Sequence, residues 1–332
     1  MKGFLLSQFS KTRPGAPRFL AGLTWASGFA AVVSLRVGLH YRLNGMVTSD
    51  LNRLIVQLVA DSSLFESDRL RKRIEVLDQL DAYFDDADSA AVETDLFERA
   101  RAIRTRLEAV NAAIYAAILC EVRKGARPDE LLRWVSLCGD SKETAPRGLG
   151  YDCLDELISG VLQLREPGAA PVRPGPEEVF YQPTPVRHIL RLIEVSSLSD
   201  SDVLVDLGSG LGHVPLLASI LTGARSIGIE AEAAYVASAR ECAARLGLSR
   251  VTFVQRDARD ADLGTGTVFY LYTPFTGALL QTVLSRLRTE STNRAIRVCT
   301  FGPCTLVAAR ETWMTAYETP AADRVVCFRT GL

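Results

Sequence analysis

The sequence predicts an α/β fold with a mostly parallel sheet, placed behind an all-α region, and three observations carry that prediction. From about residue 202 onward, short β-branched apolar runs alternate with amphipathic stretches, the pattern of parallel strands joined by crossover helices. From about 47 to 163 the apolar residues recur at three- and four-residue steps, the period of helices. Between them lies Arg165-Glu-Pro-Gly-Ala-Ala-Pro-Val-Arg-Pro-Gly-Pro176, whose four prolines and two glycines in twelve residues read as a semi-extended linker.

Bulk properties set the outer limits. A chain of 332 residues is long enough for two domains, and 48% hydrophobic against 23% charged residues is a globular composition. Lys plus Arg (38) nearly balances Asp plus Glu (39), so no global basic field points to nucleic acid. The seven cysteines (120, 138, 153, 242, 299, 304, 327) are scattered without a CxxC pair, which suits reduced thiols better than a disulfide framework or a zinc site. His40, His188 and His213 are too dispersed for a metal cluster, and no metal is expected.

Taken in order, residues 19–35 hold no charge and are flanked by Arg18 and Arg36, with Lys11 and Arg13 upstream. Seventeen residues is the bottom of the range for a membrane span. Two readings stand: weak membrane association through a marginal inner-face anchor, or an extension outside the working protein, with Met46 as a natural start. The expected layout is therefore 1–45 as an apolar extension, 46–164 as a helical domain, 165–176 as the linker and 177–332 as the α/β domain.

Within the helical domain, Leu70, Ile74, Leu77 and Leu80 mark a first helix. Asp85-Asp-Ala-Asp88-Ser89 breaks it and supplies capping side chains. Leu96, Ile103 and Val110 then repeat every seven residues, interleaved with Ala100, Leu107 and Ile114, opposite Glu98, Arg101, Thr105 and Glu108. That spacing predicts two helices packed antiparallel along one apolar seam. Shorter helices are expected at 127–137 and 151–163. The region reads as a packing or dimerisation domain, with substrate recognition as the sharper alternative, and no residue in it singles out a binding site.

In the α/β domain, Val179-Phe-Tyr-Gln-Pro-Thr-Pro185 precedes a helix from Val186 to about Val195. Thr184 is expected to cap it, with Pro185 at its first position and His188 on its surface. Strands are predicted at 202–206, 225–230, 251–255, 267–272 and 294–300, with helices at 211–222, 232–246 and about 277–288 between the early ones. Strands near 313–318 and 323–330 can pair as a closing hairpin. The expectation is a Rossmann-like, seven-stranded, mostly parallel sheet with an antiparallel last strand.

The chemistry concentrates at Val203-Leu-Val-Asp-Leu-Gly-Ser-Gly-Leu-Gly-His213. A strand ends on Asp206, turns through Gly208, Ser209, Gly210 and Gly212, and enters a helix. Glycines there bring bare backbone against a ligand. A dinucleotide fingerprint would need its third glycine at position 213, which is His. A carboxylate at 206 also repels a pyrophosphate, whereas it attracts a cation. S-adenosyl-L-methionine carries an ammonium and a sulfonium and no phosphate, so the loop reads as a methyl-donor site.

Asp206-Leu-Gly-Ser-Gly-Leu-Gly212 resembles the first motif of class I (seven-β-strand) S-adenosylmethionine-dependent methyltransferases. Ser226-Ile-Gly-Ile-Glu230 and Val251-Thr-Phe-Val-Gln-Arg-Asp257-Ala258 extend the resemblance, which covers roughly residues 177–332. It implies that Asp206 holds the methionine ammonium, that Gly208, Ser209, Gly210 and Gly212 form the cradle, and that Glu230 binds the ribose hydroxyls. Asp257, with Ala258, would face adenine. The family's catalytic motif falls at the end of the fourth strand, here Tyr272-Thr-Pro-Phe275. It departs from the Asn/Asp-Pro-Pro-aromatic motif of amino-group methyltransferases, and no cysteine is present for a covalent cytosine-C5 mechanism. Tyr272, Phe275 and Tyr181 are the expected catalytic residues. Tyr-x-Pro-Thr-Pro looks like the segment that closes the site in some non-SET protein-lysine methyltransferases.

The implied reaction is methyl transfer by in-line displacement, in which the protein positions the acceptor and excludes water. A protein lysine is the expected acceptor; a small apolar or aromatic molecule would suit the same slot. A donor-binding module without catalysis, using the helical domain as an interaction platform, is the reading from another class. His213 is expected to be a helix-end residue without catalytic duty. The expected location is cytoplasmic, where the donor is made.

Overall fold

The computed structural model describes residues 49–85, 94–125, 128–139, 151–165, 175 and 177–331. The apolar stretch 19–35, Met46, residues 86–89 of the expected helix break and most of the Pro/Gly segment lie outside them. The chain divides into two compact units between Ile114 and Tyr115.

The first unit contains α1 (residues 49–60), α2 (Leu70–Asp85) and the first part of α3 (Thr94–Arg123). The predicted antiparallel seam between α2 and α3 is present. Arg73 Nε meets Asn111 Oδ1 at 2.6 Å, Arg104 Nε meets Asp81 Oδ1 at 3.1 Å, and the Phe84 and Phe97 rings are 5.8 Å apart. Leu64, Val76, Leu80, Leu96, Ala100 and Leu107 fill the seam, while Glu98, Arg101, Thr105 and Glu108 face solvent. Arg73 is fully buried inside this core. It is held by Asn111 and by the carbonyl oxygens of Leu64, Glu66 and Ser67, so its charge is not left unsatisfied.

The second unit begins with the rest of α3, followed by α4 (Asp129–Gly139), α5 (Cys153–Leu162) and α6 (Val186–Val195). The alternating part follows: β1 (Val203–Leu207), α7 (His213–Thr222), β2 (Arg225–Glu230), α8 (Ala233–Leu246), β3 (Val251–Gln255), β4 (Val268–Tyr272), α9 (Gly277–Ser291), β5 (Arg297–Phe301), α10 (Cys304–Ala308), β6 (Met314–Ala316) and β7 (Val326–Thr330). The strands make one seven-stranded sheet in the order β3-β2-β1-β4-β5-β7-β6. The first five run parallel, and β7 is antiparallel to both β5 and β6, as the sequence predicts. The central strands are mostly apolar because both faces are covered, with Asp206 the acid near the end of β1. On one face Val205, Leu207, Phe269, Leu271 and Val298 pack with Leu280, Val283, Leu284 and Leu287 of α9.

Two expectations about α6 require correction. Pro185 occupies the N-cap and Thr184 makes no capping bond; its hydroxyl instead lies 3.3 Å from Tyr270 Oη. His188 is buried, 6% exposed, with its ring 4.1 Å from that of Phe301. Positions 185, 188 and 192 share one stripe at helical spacing, and that stripe faces the sheet rather than solvent. No helix among the described residues is long and apolar enough to cross a membrane.

Candidate active site

The strand order reverses between β1 and β4, so their carboxyl ends open the crevice where parallel sheets bind ligands. The loop after β1 fills its floor. Gly208, Gly210 and Gly212 have φ of 90°, 52° and 86°, the left-handed region that only glycine enters without strain. Added Cβ atoms would stand 2.3 Å from Pro274 Cβ, 1.9 Å from Tyr181 Cε2 and 2.5 Å from Phe253 Cε1 respectively. The amides of Gly208 and Ser209 donate to Ile229 O at 2.9 and 3.0 Å, and Gly210 N donates to Glu230 Oε2 at 2.8 Å. The Ser209 hydroxyl turns beneath the loop toward Gly228 and has no partner among the described residues. Of the expected cradle residues, Ser209 thus offers the crevice backbone rather than side chain.

Asp206 and Glu230 sit together at the rim of this cradle. Asp206 is 3% exposed, and its carboxyl is pushed well above the usual range, first by burial and then by the negative charge of Glu230. No hydrogen bond or counter-charge offsets it among the described residues. Burial likewise raises Glu230, against the amides of Glu232 (2.9 Å) and Gly210, which favour its ionised form. Two buried acids without a cation make a site that gains from a positive ligand. An ammonium beside bare glycine backbone matches that requirement, so the residues present fit S-adenosylmethionine.

Asp257 lies two residues beyond the end of β3 and is engaged locally. It caps the short 3-10 turn Ala258–Asp260 through Arg259 N at 2.8 Å and forms an ion pair with Arg259 Nη2 at 2.6 Å. That guanidinium, ahead of burial, holds the Asp257 carboxyl below its ordinary value. Ala258 is buried under the same turn.

The segment 177–181 forms the upper wall. Thr276 N donates to Glu177 O at 2.7 Å and Val179 N to Pro274 O at 3.2 Å, which joins the segment to the loop after β4. Glu177 also caps α9 through the amides of Ala278 and Leu279, both at 2.9 Å. Tyr181 then reaches over Gly210. Its ring is 4.9 Å from that of Tyr235 on α8, and its hydroxyl lies 3.2 Å from His213 Nδ1. Burial drives the His213 pKa down to about 4, so the imidazole is neutral at pH 7 and Nδ1 can accept from the phenol. His213 is therefore a partner of the wall rather than a bare helix end.

At the end of β4 the expected catalytic residues separate. Tyr272 stacks on Phe301 at 4.5 Å, and its hydroxyl is buried without a partner among the described residues. Thr273 has a φ of 38°, and its hydroxyl donates to Phe301 O at 2.8 Å and accepts from Cys304 N at 3.2 Å. It ties β4 to β5 and faces away from the crevice. Phe275 is 5% exposed and packs in the core with residues of α9. Tyr181 and Tyr272 are only partly buried, whereas Phe275 belongs to the core.

Sequence reasoning missed Tyr235 and Tyr270. Tyr270 is the β4 residue in register with Asp206, buried beside it and bonded to Thr184. The predicted strand bounds, aligned at either end, pair Asp206 with 271 or 272, so the register that joins it to Tyr270 is set by the sheet.

The family model described as "Histone methylation protein DOT1" matches residues 175–251, from the upper wall through the cradle and both acids to the start of β3. The matched stretch, with the glycine cradle and the sheet order, is that of a class I S-adenosylmethionine-dependent methyltransferase. No curated protein matches this methyltransferase. Among solved structures it is similar to an RNA methyltransferase from Salinibacter ruber in complex with S-adenosyl-L-homocysteine, at 27% identity over 45% of this chain and 92% of that one, with a TM-score of 0.38. A precorrin-6y C5,15-methyltransferase from Geobacter metallireducens is 17% identical over 47% and 92%, with a TM-score of 0.36. An rRNA methylase from Streptococcus thermophilus is 12% identical over 46% and 99%, with a TM-score of 0.34.

Proposed function

We propose that this methyltransferase acts on the ε-amine of a protein lysine. The observation that carries the reading is the end of β4, where Tyr272 presents an aromatic ring and a buried, unpartnered hydroxyl. Such a slot disfavours an ammonium and favours the neutral amine that must attack. Lowering a lysine from about 10.4 to about 7 requires roughly 4.6 kcal/mol, which desolvation and a neighbouring sulfonium can supply. Burial raises the Tyr272 phenol, so it stays protonated and can hydrogen-bond the amine nitrogen. The histone methylation named in the matching family model supports a protein acceptor.

In this reading Asp206 holds the donor's ammonium, and Glu230, through the lone pairs its backbone bonds leave free, accepts from the ribose hydroxyls. Asp257 and the turn at Ala258 flank adenine, and Tyr181 shields the cradle from water. Bound S-adenosylmethionine supplies the activated methyl group. Residues 46–164 act as a helical domain ahead of a catalytic domain at 177–332, and the α2/α3 region is a candidate for self-association. The reaction takes place in the cytoplasm, with residues 19–35 as a weak membrane contact.

The test is to incubate the protein with radiolabelled donor and a cell lysate, then fractionate the label. Label in protein that is recovered as methyl-lysine after hydrolysis, and lost in Tyr272→Phe, is the expected result. Label confined to RNA or to small molecules would overturn the lysine assignment.

A further inference from the structure

The wall that carries Tyr181 is held by residues that precede the Pro/Gly segment. Tyr151 Oη donates to Pro183 O at 2.9 Å, and Asp155 Oδ1 accepts from Val186 N at 2.8 Å. These bonds bracket Thr184 and Pro185. The other end of the same run is tied at Val179 to Pro274 O. Tyr181 projects onto Gly210 from between the two anchors.

Asp155 does more than its own helix requires. Asp152 already caps α5 through Leu154 N at 2.8 Å, and Asp155 Oδ2 completes the capping box with Asp152 N at 2.7 Å. The remaining oxygen crosses to the first residue of α6, whose preceding residue is a proline and makes no side-chain cap. The acid is largely buried, and that burial raises it to about 6 in spite of both backbone bonds and of Arg187 nearby. A buried acid is costly, and the capping box of α5 uses only one of its two oxygens.

We propose that Tyr151 and Asp155 are positioning residues of the methyltransferase, clamping segment 183–186 so that Tyr181 stays seated on the glycine cradle. The inference rests on the reading of the cradle as the donor site. It makes the last helix before the Pro/Gly segment a working part of that site.

The test uses the full chain and three variants, Tyr151→Phe, Asp155→Ala and Asp155→Asn, with S-adenosylhomocysteine as the probe. Tyr151→Phe keeps the ring and removes the hydroxyl's bonds to Pro183 O and to the Gln182 side chain. It is expected to raise Kd at least roughly fivefold, about what the loss of one ordinary hydrogen bond gives. Hydrogen exchange of the ligand-free protein should accelerate at the amides of Tyr181, Gln182, Thr184 and Val186 but not in β1 or α7. Asp155→Ala should weaken binding further, and Asp155→Asn, whose carbonyl oxygen can still accept from Val186 N, should recover part of the loss. Unchanged Kd and exchange in Tyr151→Phe and Asp155→Ala, with Glu230→Ala impaired in the same assay, would overturn the clamp. A wild-type protein that does not bind the probe would instead sink the donor-site reading, and exchange at 181–186 would still decide the clamp.

Discussion

The ring of Tyr181 lies directly on the backbone of Gly210, so that a Cβ there would stand 1.9 Å from Tyr181 Cε2. The contact joins the upper wall to the cradle, two segments about thirty residues apart in sequence. Gly210 also has a φ of 52°, which an L side chain adopts only with strain. Gly210→Ala should therefore displace Tyr181 and weaken donor binding at least about tenfold, about 1.4 kcal/mol. Adding Tyr181→Ala should recover part of the loss, because the clash then disappears. Additive effects in a calorimetric double-mutant cycle would show that the contact carries nothing.

Glu230 braces the cradle, since both of its oxygens accept backbone amides. Glu230→Ala is expected to weaken donor binding by one to two powers of ten, roughly 1.4–2.7 kcal/mol. Glu230→Gln should lose less, because its carbonyl oxygen can still accept from Gly210 N. Calorimetric titration gives both values, and an unchanged Kd in the alanine variant would remove Glu230 from the site.

Donor binding is expected to depend on pH through Asp206. Its folded pKa is raised, so without ligand this group alone favours the folded state as pH falls toward its ordinary value of 3.8. A bound ammonium favours the carboxylate and lowers that pKa. Binding then releases protons wherever pH lies between the bound and free values, and affinity weakens as pH is lowered through that window. Calorimetry in buffers of different ionisation enthalpy should register the release in wild type and not in Asp206→Asn.

Thr273 holds a left-handed backbone that a β-branched residue rarely adopts, and its hydroxyl bonds to Phe301 O and Cys304 N compensate. Thr273→Val keeps the strain and loses both bonds, which should cost about 1–3 kcal/mol of stability. Because the loop carries Tyr272, kcat should fall while the Kd of the donor holds. Thermal unfolding and steady-state kinetics check the two halves, and wild-type values in both would leave the hydroxyl without a role.

Much of the site could be read from local pattern. Asp206 and Glu230 each end an apolar run, and a strand in a parallel sheet delivers its last residue to the ligand edge whatever packs around it. The Asp257–Arg259 pair is equally local, two residues apart. His188 was misplaced because an isolated helix does not show that the end of β5 reaches its polar flank. The aromatic residues of Tyr272-Thr-Pro-Phe275 could not be sorted without coordinates, since a left-handed residue between them turns one into the core and leaves the other at the crevice.

The sequence by itself determined the order of strands and helices, the glycine turn and the acids that border it. These follow from periodicity and from backbone sterics, which act within a few residues. Only the tertiary structure decided that Tyr181 covers Gly210, that Tyr151 and Asp155 reach across the Pro/Gly segment, and that Tyr270 stands beside Asp206. Those contacts join residues tens of positions apart, and the free energy that selects them comes from burial and hydrogen bonding that exist only once the sheet has formed.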